Sequence, residues 1–383
     1  MVTCDDCGQE VPEGHFCIRC GNSLAEEMAR TGHRGFAANP HERVNRPRIV
    51  STFFPQLPRT DMRTFRIALL IGLVVVVLLT VLGLFPMAIV ASAVLTPLLF
   101  VLYLYDVDVY EDDPMSVIAF TMLWGVAAGI AAGFIAKSFS SPGAALFGES
   151  SGSTTVQLGV VMPIISVVLM IIGPLFLLGR KVFNDVLDGA TFGGAAAVCF
   201  AGAQLLTVSF STLTNSGLRP VGAVTPWVIR VLELAIAAPV LSAAVMSATA
   251  AAFWLRFRSP IRDRGALGPL GHPAVAMVVA VLVLIVAAQA QLHLRDFLAL
   301  IVYLILDVVA LIWLRRVLHL GLLQEAAEIQ TGPDIRCANC GAMTPRHSFC
   351  INCGVSLLAL PNARRADRRA APPPAEPLPG GEA

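Results

Sequence analysis

The chain has 383 residues, of which 56% are hydrophobic and only 14% are charged, and its formal net charge is +1. So few charges cannot cover a soluble globular surface, which excludes a soluble enzyme, a disordered protein and a secreted disulfide scaffold. The hydrophobic residues are concentrated in long uncharged runs such as residues 67–84. We therefore expect most of the chain to lie in a lipid bilayer.

The first element, at residues 1–24, carries two copies of a Cys-x-x-Cys-Gly motif separated by eight residues. Two residues between the cysteines let one tight turn direct both thiolates at a single ion, and two such turns complete a tetrahedral shell of four sulfurs. Glycine after the second cysteine permits the left-handed backbone of such a turn. The motif predicts a zinc ribbon in which one structural Zn²⁺ is bound by Cys4, Cys7, Cys17 and Cys20.

The same motif returns near the other end of the chain, at residues 337–358. Placing Cys4 on Cys337 aligns the two copies without a gap, and it also matches Phe16 with Phe349. Two disulfides in each tetrad are the alternative, but paired Cys-x-x-Cys motifs indicate zinc, and the topology argued below puts both tetrads in the reducing cytoplasm. The repeat predicts a second zinc ribbon with its own structural Zn²⁺, bound by Cys337, Cys340, Cys350 and Cys353.

The charges of the ribbons bear on their partners. Arg19 is the one basic residue between Cys4 and Cys20, where four acidic residues lie, and the second ribbon has only Arg346 between its outer cysteines. Nucleic-acid binding needs clustered lysines and arginines, so this pattern disfavours it. We expect the ribbons to stabilise the chain or to bind proteins, either cytosolic partners or each other.

Eight apolar segments predict transmembrane helices, and together they form an all-α polytopic membrane domain at residues 65–316. The sixth segment is unusually long and the seventh is short. The predicted spans are residues 65–83, 86–105, 115–136, 156–178, 190–210, 226–255, 273–290 and 296–314.

The basic residues predict the orientation of these spans. With a cytoplasmic N-terminus, only Lys137, Arg219 and Arg295 fall outside, which is a clear positive-inside bias. Both ribbons then face the cytoplasm. They resemble the short zinc-ribbon modules at the ends of many bacterial membrane proteins, which implies a bacterial plasma membrane. The basic residues that lie closest to the spans on the cytoplasmic side are Arg46, Arg48, Arg59, Arg63, Arg66, Arg180, Lys181, Arg256, Arg258, Arg262, Arg264, Arg315 and Arg316.

Three segments lie outside the ribbons and the spans. Residues 25–64 form an Arg-rich linker that either follows anionic headgroups or is solvated. Residues 317–336 contain a short connecting helix between the last span and the second ribbon. Residues 359–383, rich in proline, have the composition of a disordered tail.

Motifs between the second and sixth spans go beyond hydrophobicity. They comprise a Tyr-Glu-x-x-Pro turn, a Trp-Gly pair in the next helix, and an acidic-Gly turn followed by two Phe-Gly or Phe-Ala pairs. Over about residues 96–254 the chain resembles the PrsW-type intramembrane metalloprotease family. The residues that carry the resemblance are Tyr110, Glu111, Pro114, Trp124, Gly125, Asp185, Asp188, Gly189, Phe192, Gly193, Phe200 and Ala201.

The resemblance implies catalytic positions that this chain does not fill. A Glu pair of the family falls at Ser166 and Val167, a Lys at Met170, and the Glu of a Phe-x-x-x-Glu motif at Gln204. No span from the fifth onward contains a histidine. A catalytic zinc needs about three protein ligands and a water. We therefore assign no catalytic or cofactor-binding residues, and expect a PrsW-like pseudoprotease core.

Away from the ends of the spans we find only three charged side chains, those of Arg230, Glu233 and Asp307. Arg230 and Glu233 are three residues apart on one helix and can pair. Asp307 is either a proton or ion relay or a buried carboxyl bonded to a neighbouring helix, for instance through Tyr303. A transporter would place Glu233 and Asp307 on one water-filled cavity.

Gly125, Gly129 and Gly133 repeat every four residues along the third span. Such a stripe of small residues lets helices approach closely, and packing inside the bundle is its commoner use, although dimerisation uses it too. We thus leave a homo-oligomer open. The leading hypothesis is a non-catalytic membrane protein with a scaffold, interaction or sensing role. An active intramembrane metalloprotease is the first alternative, and a transporter of a small solute or ion is the second.

Overall fold

A computed structural model describes residues 1–5, 8–24, 63–107, 115–139, 155–180, 183, 185–215, 224–258, 265–328, 331–337, 340–355 and 357. Several predicted features lie outside these residues. They are Cys7, nearly all of the Arg-rich linker, the Tyr110-Glu111-x-x-Pro114 turn and the proline-rich tail.

The described residues contain eight long helices and, at the two ends of the chain, four short strands, which confirms the all-α membrane fold with a small ribbon at each terminus. Seven helices are long and apolar enough to cross a bilayer, and α1 contributes a shorter apolar stretch, Ile67–Val81. The helices are α1 Arg63–Val81, α2 Phe85–Val107, α3 Met115–Phe139, α4 Gln157–Leu178, α5 Val186–Asn215, α6 Val224–Leu232 continuing through Glu233–Ala237 and Ala238–Phe257, α7 Pro273–His293 and α8 Asp296–Glu328.

A tight turn joins α1 to α2. Gly83 has φ +72°, and its N–H donates to the Thr80 carbonyl, while the Leu84 N–H donates to the Leu79 carbonyl. This pair of bonds satisfies the last carbonyls of α1, and it needs a residue without a side chain at the left-handed position. The chain can therefore reverse directly into α2.

Helix α5 lies at the centre of the bundle, between α3 and α6. A side chain at Gly125 or Gly129 of α3 would overlap the carbonyl oxygens of Ala196 and Phe200 on α5, and one at Gly133 would overlap Thr207. The glycine stripe therefore packs inside the bundle, as predicted, because only glycine lets the two backbones come this close.

The acidic-Gly motif begins α5. The Asp185 N–H donates to Asp188 Oδ2 at 3.1 Å, which is half of a capping box and satisfies one of the free N–H groups at the start of a helix. One residue later, Gly189 lies against the indole of Trp254 on α6. Both features are structural, so this motif is explained by the way α5 begins and packs.

Helix α8 is longer than the predicted last span. It runs without interruption from Asp296 to Glu328, so the predicted connecting helix is its continuation. Its 33 residues give a length of about 50 Å, against about 30 Å for the hydrocarbon core. Helix α8 therefore extends well beyond the bilayer towards the second ribbon.

Each ribbon contains a two-stranded antiparallel sheet. Strands β1 (Val2–Thr3) and β2 (Glu10–Val11) pair in the first, and β3 (Asp334–Arg336) and β4 (Met343–Pro345) in the second. The register is also repeated, because Val2 opposite Val11 corresponds to Ile335 opposite Thr344 when the ribbons are aligned on their cysteines.

Candidate functional site

The cysteine turns have the same backbone geometry wherever the motif occurs. The N–H of the glycine donates to the carbonyl of the first cysteine, at 2.8–2.9 Å, and the glycine has φ between +64° and +73°. This conformation strains any residue with a Cβ atom, which explains the glycine after each pair of cysteines. The four glycines are Gly8, Gly21, Gly341 and Gly354.

The sulfur atoms of the second ribbon are arranged as a metal site. Cys337 Sγ lies 3.8 Å from Cys353 Sγ, and Cys340 Sγ lies 3.7 Å from Cys350 Sγ. Tetrahedral coordination with metal–sulfur bonds of about 2.3 Å puts the sulfurs about 3.8 Å apart. A disulfide needs about 2.05 Å, so the described cysteines are free thiols. The cluster can therefore hold a metal ion.

The first ribbon has the same arrangement. Cys4, Cys17 and Cys20 form a buried cluster able to hold a metal, with Cys4 Sγ 3.7 Å from Cys20 Sγ. The fourth predicted ligand, Cys7, is the one outside the described residues. In the gap-free alignment of the two ribbon sequences, Cys7 corresponds to Cys340.

The surroundings of one cysteine in each ribbon favour the thiolate. The pKa of Cys17 is lowered to about 5, chiefly by a hydrogen bond from the Cys20 thiol. Burial opposes this shift, and the backbone N–H groups of Cys20 and Arg19 contribute to it. The corresponding Cys350 accepts from Cys337 and from backbone N–H groups, which lowers its pKa also. The thiolate is the form that binds metal, so the backbone N–H groups favour binding at these two sulfurs, whereas the shared hydrogen bond with Cys350 raises the pKa of Cys337.

The two ribbons contact each other through reciprocal hydrogen bonds. The Phe16 N–H donates to the Ile351 carbonyl at 3.0 Å, and the Phe349 N–H donates to the Ile18 carbonyl at 2.9 Å. Each bond becomes the other when every residue is replaced by its counterpart in the other ribbon. These two bonds are therefore related like those of a two-fold dimer interface, although both halves belong to one chain, and a third bond runs from the His15 N–H to the Ile351 carbonyl. We call this contact the ribbon clasp.

Small residues and buried rings complete the ribbon clasp. A side chain at Gly14 would overlap that of Ile351, and one at Gly21 would lie 2.9 Å from Phe349 Cδ1. Phe16 and Phe349 are both buried, and Phe349 also belongs to the hydrophobic cluster of the helical bundle. The second ribbon is thereby packed on the bundle and on the first ribbon.

The ionisable residues of the spans form a buried network. Arg230 Nη1 donates to Glu233 Oε2 at 2.8 Å, which confirms the predicted pair, and Arg230 Nη2 donates to Asp296 Oδ1 at 3.1 Å. Sequence analysis missed Asp296 as a partner, because it lies 66 residues away at the start of α8. The network fastens α6 to α8 and keeps a buried cation paired.

Asp307 is not bonded as predicted. It is buried, and its Oδ1 has no hydrogen-bond partner among the described residues. The Tyr303 hydroxyl lies 3.5 Å from Gln291 Oε1 on α7. The Tyr303–Asp307 contact given as an example is therefore absent: the two residues are one helical turn apart on one face of α8, but the hydroxyl points towards α7.

A cavity of about 230 Å³ lies between helices α3 to α8. It is formed by the starts of α4, α6 and α8 and the ends of α3, α5 and α7, so it lies in the half of the bundle away from the ribbon end of α8. Neither Glu233 nor Asp307 lines it. Its polar lining consists of Ser166, Gln204, Ser242, Gln291 and Tyr303.

Three of the positions that the resemblance marks as catalytic, now Ser166, Met170 and Gln204, line this cavity. Val167, the fourth, is buried but does not line the cavity. Among the described residues, the groups of His, Cys, Asp or Glu able to hold a metal are the two ribbon clusters. Comparison with protein-family models, curated proteins and solved structures finds no match to this chain.

Proposed function

We propose that this integral membrane protein is non-catalytic, and that it has an interaction or sensing role with a PrsW-like pseudoprotease core and two zinc ribbons. The observation that carries the proposal is the lining of the cavity. The positions where the resemblance would place a Glu, a Lys and a second Glu carry Ser166, Met170 and Gln204, and these side chains share one cavity. A serine, a thioether and a carboxamide cannot supply the ligand set of a hydrolytic zinc.

Zinc is the metal that we propose for both ribbons. Four thiolates around one point, with sulfur separations of 3.7–3.8 Å in the second ribbon, match a closed tetrahedral site. Such a site has no open position for a substrate or a water, so its role is to stabilise the ribbon. The first ribbon is proposed to hold a second Zn²⁺, through Cys7 together with Cys4, Cys17 and Cys20.

We propose further that both ribbons lie on the cytoplasmic side of a bacterial plasma membrane. Counting the shorter α1 as a span gives eight spans, an even number, which agrees with termini on the same side, as does the ribbon clasp. The arginine distribution favours the cytoplasmic side for these ends. Zinc-binding thiols also persist more readily in a reducing compartment.

A protease assay tests the non-catalytic role. The purified chain, reconstituted in liposomes with Zn²⁺ and a panel of single-span membrane proteins, is expected to produce no cleavage above that of empty liposomes. The matched variant is Glu233→Gln, which removes the most deeply buried carboxylate of the bundle. Cleavage that disappears on chelation, or in Glu233→Gln, would show that the core is an active metalloprotease.

Crosslinking in native membranes tests the interaction role. We would compare the intact chain with a double variant, Cys17→Ser with Cys340→Ser, which removes a thiolate from each ribbon. Cys199→Ser, which changes a buried cysteine of α5, is the control. Protein partners are expected with the intact chain and the control and are expected to be lost from the double variant. An identical set of partners in all three would contradict a role for the ribbons.

A transporter based on Glu233 and Asp307 has less support. Its prediction was that both carboxylates face one cavity, whereas neither lines the cavity between α3 and α8. Glu233 is paired with Arg230 instead. Because the guanidinium of Arg230 already neutralises this carboxylate, the ion pair opposes the uptake of a cation or proton by Glu233.

A further inference from the structure

Helices α4 and α6 are two copies of one structural motif. Each contains a π turn, Gln157–Val161 in α4 and Glu233–Ala237 in α6. When these turns are aligned, the proline that follows each of them, Pro163 or Pro239, falls at the same offset. Single π turns inside α-helices occur often at functional sites, because they redirect side chains and main-chain carbonyls.

Both copies face the same cavity with equivalent residues. The lining side chains of α4 and α6 correspond one to one under this alignment, apart from Met170, whose counterpart does not line the cavity. The aligned pairs are Leu158 with Leu234, Met162 with Ala238, Pro163 with Pro239, and Ser166 with Ser242.

The prolines of the two helices change the hydrogen bonding of the backbone beside the cavity. Proline has no N–H, so Pro163 and Pro239 each leave a carbonyl of the preceding turn without its intrahelical donor. Irregular backbone at membrane depth is stable where it lines a cavity that offers other partners. Pro163 and Pro239 themselves line the cavity, so both turns border the space that a ligand would occupy.

The cavity offers more acceptors than donors. The Ser242 hydroxyl donates to the Ala238 carbonyl at 2.9 Å within its own helix. The Tyr303 hydroxyl is directed at Gln291 Oε1. The hydroxyl oxygens of Ser242 and Tyr303 therefore have lone pairs left to accept, while the Ser166 hydroxyl and the carboxamides of Gln204 and Gln291 can both donate and accept. A matching ligand has at least one O–H or N–H group.

The cavity also excludes a charged ligand. Among the described residues that line it, none is ionisable apart from the phenol of Tyr303. The nearby guanidinium of Arg230 is already bonded to Glu233 and Asp296. An ion without a counter-charge in such a site is strongly disfavoured, because it loses its hydration. The remaining lining is aliphatic, aromatic or thioether, so the body of the ligand is apolar.

We propose that this cavity binds a small neutral amphiphile: an alcohol, phenol or primary amide with an apolar body about the size of one ring. A dry cavity of about 150 Å³ holds benzene, and the volume of about 230 Å³ leaves room for a ring with a polar substituent. The hydroxyl or amide group would donate to the acceptors of α4 and α6, near Gln204. This inference does not depend on the proposed absence of proteolysis, since it rests on the size and lining of the cavity.

The test uses the full chain in lipid nanodiscs and a photoreactive benzyl alcohol as the probe. Peptide mapping is expected to find the probe on residues of α3 to α8 that line the cavity, with saturable labelling. At pH 7, benzyl alcohol should displace the probe at least tenfold more effectively than either benzylammonium or benzoate. Non-saturable labelling, labelling elsewhere, or equal competition by the charged compounds would overturn the proposal.

Two variants separate binding in the cavity from partition into lipid. Ala288→Phe places a ring in the cavity, and Val286→Phe places the same ring on an exposed face of α7. Labelling should be lost in the first and retained in the second. Gln204→Leu should weaken competition by benzyl alcohol about fivefold, the effect of one hydrogen bond, and leave that of toluene unchanged. Retained labelling in a folded Ala288→Phe protein would overturn the proposal.

Discussion

The ribbon pair and the membrane bundle both contain a repeated element, and the two repeats specify structure in different ways. In the ribbons, copies at opposite ends of the chain share cysteines and glycines, because a metal site and a left-handed turn each accept very few residue types. In the bundle, the copies in α4 and α6 share a π turn, a proline and a serine among interchangeable apolar residues. A repeat is conspicuous where chemistry restricts the residue type and inconspicuous where only shape and hydrophobicity are required.

The comparison predicts that substituting one ligand cysteine abolishes metal binding in that ribbon completely. Replacing one thiolate, in Cys340→Ser, should remove one of two metal ions per chain, since structural zinc contributes about 10–16 kcal/mol to the folding of isolated zinc modules. Elemental analysis of protein purified under reducing conditions measures the stoichiometry. Cys199→Ser, which alters the buried cysteine of α5, should keep both ions. Two metals in Cys340→Ser, or none in the unaltered chain, would contradict the ribbon assignment.

In the bundle, substitutions should lower the free energy of unfolding by amounts that differ from site to site. The largest loss is expected in the ion network of Arg230, Glu233 and Asp296. Arg230→Met leaves the carboxylate of Glu233 buried without its counter-charge, a change that costs about 3–5 kcal/mol in known cases. We expect a marked fall in the temperature of unfolding in detergent. The double variant Arg230→Met with Glu233→Leu should recover most of the loss, because Asp296 is partly exposed and can be hydrated. Equal loss in both variants would show that the pair is not the cause.

A substitution in the glycine stripe of α3 should cause a smaller loss of stability. Gly125→Ala adds a methyl group that overlaps the Ala196 carbonyl, and overpacking of this kind costs about 1–3 kcal/mol. Gly72→Ala in α1 is the matched control, since its nearest neighbour would be 3.6 Å away. The control should be neutral or slightly stabilising, because alanine has the higher helix propensity. Similar unfolding temperatures for both variants would contradict close packing at Gly125.

The same contrast explains how far the sequence could predict the molecule. Hydropathy was sufficient for the eight helices, and cysteine spacing for both metal clusters, since each depends on residue type. The hydrogen bonds of the ribbon clasp could not be predicted from the sequence. They join backbone N–H and C=O groups of Phe16, Ile18, Phe349 and Ile351, and every non-proline residue carries such groups. The pairing of Arg230 with Asp296 needed the packing of α6 on α8. The Leu-Pro-Ser repeat of α4 and α6, by contrast, was visible and was overlooked among apolar residues.

The smallest expected effect tests the symmetry of the ribbon clasp. Gly14→Ala places a methyl group into Ile351 and should weaken the contact without removing a metal ligand. Hydrogen exchange of the Phe16 and Phe349 amides, which bond across the clasp, should accelerate about tenfold together, corresponding to about 1.4 kcal/mol. Glu13→Ala, which changes an exposed neighbour, should leave exchange unaltered. Because the two bonds are reciprocal, acceleration at only one amide would show that the ribbons do not open as a unit, and the metal content should remain two in every case.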